Sequence, residues 1–95
     1  MKVYWIEVSY LKDDNKNGVV YIFVKAKDAI HAFELADEDL CVKGLKPYKW
    51  DFIEPYMISM EWETEEQTHH FRQLYEKAKK TKQCVFDKFY LLSEL

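Results

Sequence analysis

The sequence predicts an α+β domain: an antiparallel sheet of three to four strands with two helices, in the order ββαβ(β)α, with a short C-terminal strand as an option. Three observations carry this. Two alternating, β-branched segments flank a polar stretch that ends in Asn17-Gly18. A stripe of helical period follows Asp28, and Thr64-Glu65-Glu66-Gln67 stands at the head of a second amphipathic segment.

Between Lys2 and Leu11, Tyr4, Ile6, Val8 and Tyr10 alternate with Val3, Trp5, Glu7 and Ser9, the period of a strand. Asn17-Gly18 supplies the positive φ angles of a hairpin turn, and Val19 to Ala26 alternates again, so the two strands pair antiparallel. Asp28 sits where an N-cap belongs, and Ala29, Ala32, Phe33, Ala36 and Leu40 share one face of the helix it would start. Gly44 and Pro47 stop that helix. Tyr48 to Trp62 has extended character interrupted by Pro55; the alternation of Tyr56, Ile58, Met60 and Trp62 predicts a strand over 56–62, with a weaker one over 49–54. The Thr64 capping box opens the second helix. Its apolar face runs through Phe71, Leu74, Tyr75 and Ala78 to Val85, Phe86, Phe89 and Leu92, with Lys82 interrupting the stripe. Unbroken to residue 94, this helix would be about 45 Å long, more than one small domain can cover, so it breaks or it pairs with another copy. Residues 83–92 have enough β-branched and aromatic content to end the fold as a strand.

Length sets one domain, residues 1–95, and excludes a multidomain enzyme. A chain that is 48% hydrophobic and 17% aromatic lies outside the compositional class that stays disordered. The net charge of −3 is unevenly spread: residues 28–66 hold eleven acids against three lysines, whereas 71–90 hold six basic residues against two acids. That asymmetry suits self-association or a charged partner. No apolar run approaches the ~20 residues of a membrane span, and the first residues lack a signal-type apolar region, so a cytoplasmic location without membrane contact is expected. Cys41 and Cys84 are too few and too far apart for a disulfide framework or a metal pair, and are expected to be free.

No phosphate loop, nucleophile elbow or metalloprotease motif occurs, so no catalytic residue, cofactor or metal ligand is assigned. His69 and His70 are neighbours in sequence and point about 100° apart on a helix. They suit i,i+4 surface pairs with Glu65 and Glu66 better than chelation of one ion. The leading expectation is a non-catalytic protein-binding module, an inhibitor, adaptor or regulator, that self-associates as a homodimer. Trp5, Tyr21, Phe23, Phe71, Tyr75 and Phe89 are its interface candidates, with use in the core as the plainer reading. The second expectation is a nucleic-acid-binding domain in which Lys77, Lys79, Lys80 and Lys82 hold phosphates while Trp5 and Tyr21 stack on bases. The third is a small-ligand protein or enzyme built around His69 and His70.

Overall fold

The computed structural model describes residues 1–12 and 16–91. Strand β1 (Lys2–Leu11) pairs antiparallel with β2 (Asn17–Ala26), from Lys2 opposite Ala26 to Leu11 opposite Asn17. The register places Tyr4, Ile6, Val8 and Tyr10 with Val20, Ile22 and Val24 on one face, and Trp5 with Phe23 on the other. Both faces are apolar over most of their length, so a slip by one residue would exchange two differently shaped cores.

Asn17-Gly18 does not form the turn. Both residues belong to β2, Gly18 opposite Tyr10, and among the described residues the glycine with positive φ is Gly44. The chain reverses one step earlier, where the Lys12 N–H donates to the Lys16 carbonyl at 2.8 Å; the expected loop residues 13–15 lie outside the described residues. The strand pattern extends to Asn17 and outweighs the local preference of an Asn-Gly pair.

Helix α1 (Ala29–Val42) begins as its sequence predicts. The Asp28 carboxylate accepts the His31 N–H at 2.8 Å, and His31 Nδ1 in turn accepts the Lys27 N–H at 3.1 Å, so two donors at the helix start are satisfied reciprocally. Ala32, Ala36 and Leu40 are fully buried on the first face of the sheet. Gly44, at φ 74°, lets the chain leave the helix: its N–H bonds to the Cys41 carbonyl and the Leu45 N–H to that of Leu40, both at 3.0 Å.

Strand β3 (Lys46–Pro55) then pairs antiparallel with β1 on the side away from β2. The weaker strand expectation, 49–54, lies inside it, and the strand expected over 56–62 is absent. After Tyr56 donates to the Val3 carbonyl at 2.8 Å, the chain turns, with the Met60 N–H bonding to the Met57 carbonyl at 2.9 Å. Tyr56, Met60 and Trp62 still reach the core, but from a loop. An alternating apolar pattern records which side chains are buried, and a loop folded over a core can meet it as well as a strand can.

Helix α2 (Glu65–Lys79) is capped by Thr64, whose hydroxyl accepts the Gln67 N–H at 3.1 Å. It breaks at Lys80, and Lys82 lies in the turn that follows. The chain returns along the free side of β2 as two short antiparallel strands, β4 (Val85–Phe86) and β5 (Tyr90–Leu91), joined across Asp87, whose N–H donates to the Tyr21 carbonyl at 2.9 Å. The fold is α+β, with β3, β1 and β2 in that order and β4 and β5 in line along the far edge. α1 lies on one face and α2 on the other, so β1 and β2 form the middle of three layers.

Candidate interaction surface

The aromatic candidates fill the layer beneath α2. Trp5 is its centre, with ring centroids 4.5 Å from Phe52, 4.9 Å from Trp62, 6.0 Å from Tyr21 and from Tyr56, and 6.4 Å from Phe71. Phe23 is fully buried between Tyr56 and Phe71, and Tyr75 packs on Tyr56 at 5.2 Å. Several of these contacts are edge-to-face, the geometry the ring quadrupole favours. Trp5, Tyr21, Phe23, Phe71 and Tyr75 therefore belong to an internal core, the plainer of the two readings. Phe89 stands apart: it is partly exposed on the first face, edge-on to Tyr10 at 5.7 Å and stacked on Phe86.

The same burial bears on the lysines. Lys77 and Lys79 lie in the last turn of α2, and Lys80 and Lys82 directly after it, but Trp5 has no free ring face beside them. Lys79 instead pairs with Glu76 at 3.7 Å and lies over the Tyr75 ring, while its carbonyl accepts a hydrogen bond from Lys25 Nζ at 3.1 Å. A row of cations is present; the stacking platform that would accompany it in single-strand recognition is closed.

His69 and His70 diverge, as expected of helical neighbours. His69 Nε2 lies 3.1 Å from the Gln73 amide nitrogen, and His70 Nε2 lies 2.8 Å from Asp87 Oδ1. The expected partner of His70 was Glu66; the one it meets is seventeen residues away in sequence, which no local spacing could indicate. The Asp87 side chain is only 3% exposed, and among the described residues the half-exposed His70 imidazole is the partner of this buried carboxylate. The pair ties α2 to the C-terminal edge of the sheet. Among the described residues no group of three His, Cys, Asp or Glu side chains is placed to hold a metal ion.

What the sheet leaves open is its other edge. No described strand pairs with the outer side of β3, ten residues long. Beside it, Phe33 of α1 packs against Trp50 with centroids 4.6 Å apart and the rings tilted by 60°, and the Phe33 residue remains 37% exposed. Tyr48 and, one helical turn before Phe33, Ile30 are also exposed. On the opposite face of the strand Asp51 accepts a hydrogen bond from the Ser9 hydroxyl at 3.1 Å and pairs with Lys49 at 3.4 Å. β3 carries two irregularities against β1, between the partners of Glu7 and Val8 and between those of Ser9 and Tyr10, and prolines at positions 47 and 55. Tyr48 and Trp50 are residues that sequence patterning passed over, and Phe33, expected on the buried stripe of α1, stands exposed at its margin beside the sheet edge; a strand flanked by two prolines was the signal for an edge.

Compared with protein-family models, with curated proteins and with solved structures, the chain matches none. Among the described residues no helix is long and apolar enough to cross a membrane.

Proposed function

We propose that this chain is a small non-catalytic protein-binding module that acts by strand addition. An extended segment of a protein partner pairs with the outer edge of β3, and the Phe33 and Trp50 rings anchor it. The observation that carries the reading is the coincidence of a ten-residue edge that no described strand pairs with and a partly exposed aromatic pair beside it. Backbone pairing gives such an interface its affinity, and flanking side chains give it selectivity. The aromatic excess that suggested an interface is largely consumed under α2, which moves the proposed contact from the sheet face to the sheet edge. Cys41 and Cys84 are unbridged, which suits the cytoplasm.

Phe33→Glu tests this without disturbing a buried side chain. A partner captured from the native host by the wild-type chain is expected to be held about tenfold more weakly by the variant. Backbone amide exchange at Trp50 and Ile53 is expected to slow in the complex. Equal capture by both proteins, or protection confined to the outer side of α2, would refute the reading.

A further inference from the structure

Resting on that reading of β3 as the docking edge, we infer that the strand it accepts is β3 of a second copy of this chain, antiparallel, with the two-fold axis at Trp50. The edge offers few donors. Tyr56 donates to Val3, and alternation along the strand from that bond, through the two irregularities, turns Pro47, Trp50, Ile53 and Pro55 away from β1. The prolines have no N–H, so Trp50 and Ile53 supply the outward donors. A two-fold at Trp50 sets Trp50 against Trp50 and Ile53 against Pro47. Each Trp50 N–H then meets a Trp50 carbonyl, and each Ile53 N–H meets the carbonyl of a proline that can only accept.

The side chains agree with this register. Lys49 comes opposite Asp51, and Lys46 opposite Glu54, each twice by symmetry. All four lie on the α2 face of the sheet: Lys46, Lys49 and Glu54 by their partners Leu11, Ser9 and Trp5, and Asp51 by its bond to the Ser9 hydroxyl. Pro47, Trp50 and Ile53 lie on the α1 face, opposite Tyr10, Val8 and Ile6. A two-fold perpendicular to the sheet makes like faces continuous, so charges meet charges on one side. On the other, two Trp50 rings meet between two Phe33 rings. Cross-strand pairs of opposite charge support a register and like pairs oppose it. A shift to pair Trp50 with Ile53 retains only the match of Lys49 with Glu54.

Prolines, irregularities and charges are the usual means of protecting an edge. Here they leave the middle of the strand open and block its ends. The far edge of the sheet is built from two-residue strands, β4 and β5, so an isologous joint at β3 closes at two copies and does not propagate.

Sedimentation of the full chain over about 1 to 500 μM is expected to show a monomer–dimer equilibrium. Lys46→Glu with Lys49→Glu makes the edge uniformly acidic, and Asp51→Lys with Glu54→Lys makes it uniformly basic. Each doubly substituted chain is expected to dimerise at least about tenfold more weakly alone, and an equimolar mixture to form a heterodimer seen by native mass spectrometry. Should Asp51→Lys impair folding, Lys46→Glu mixed with Glu54→Lys poses the same question at two exposed positions. A wild type that stays monomeric throughout, or a mixture that gives no heterodimer, overturns the inference. If the wild type is monomeric while Phe33→Glu still releases a captured partner, only the second copy is refuted and the edge remains the docking site. A dimer unaffected by Phe33→Glu and by both charge reversals refutes the edge as well.

Discussion

Tyr10 is fully buried on the α1 face, and its hydroxyl has no hydrogen-bond partner among the described residues. A buried, unpartnered hydroxyl costs free energy that its removal restores, so Tyr10→Phe is expected to be neutral or stabilising by about 1 kcal/mol in urea denaturation. Burial also raises the ionisation of this phenol above its ordinary value. The raised folded-state value has no effect on stability below the unfolded pKa of about 10. Above it the unfolded chain releases the proton first, and stability falls as pH rises further. Tyr10→Phe should flatten that alkaline decline. The two thiols differ for a related reason. Cys84 is held protonated by burial and then by a hydrogen bond to Asp39, whereas Cys41 is exposed on α1. A thiol-disulfide reagent at neutral pH is expected to modify Cys41 rapidly and Cys84 only on the timescale of unfolding; two equally fast thiols would contradict the packing of Cys84.

At the scale of elements, the caps were legible in the sequence because capping is local. Asp28 and Thr64 each accept the N–H three residues on. At α2 the Thr68 hydroxyl adds a second tie, accepting the Trp62 N–H at 2.9 Å while donating to the Thr64 carbonyl at 3.1 Å. Thr64→Ala is expected to cost about 1 kcal/mol by chemical denaturation, with Thr64→Ser close to wild type. Where an element's limits depend on distant neighbours, local signals failed. β3 was read only as the weaker of two strands, over 49–54, because Pro55 splits the pattern, although a proline at the outward-facing end of an edge strand interrupts nothing. The break in α2 at Lys80 has neither glycine nor proline to announce it; the apolar stripe continues past it because Val85 and Phe86, partly buried in β4, pack against the two cores. The edge position of β3, on which the proposed interface depends, follows from strand order, and strand order is a long-range property that no window of sequence contains.

For the whole molecule, the decisive feature is that two cores share one pair of strands. β1 and β2 send Ile6, Val8 and Ile22 into the layer under α1, and Trp5 and Phe23 into the layer under α2. Neither helix can leave without exposing one complete face of the hairpin. Phe23→Ala should cost about 3–5 kcal/mol, a large part of the ~5–15 kcal/mol that holds a typical domain together. If the layers melt as one unit, damage under α2 must lower the stability of the α1 side equally. The tryptophans allow this to be measured, because Trp50 reports the first core while Trp5 and Trp62 report the second. With Trp5→Phe and Trp62→Phe as background, Trp50 fluorescence and helical circular dichroism are expected to follow coincident urea transitions. Adding Phe23→Ala should move both midpoints by the same amount. A Trp50 signal that survives after the helical signal has begun to fall would show that α2 detaches from a hairpin still held by α1, and the two layers would then be separate cooperative units.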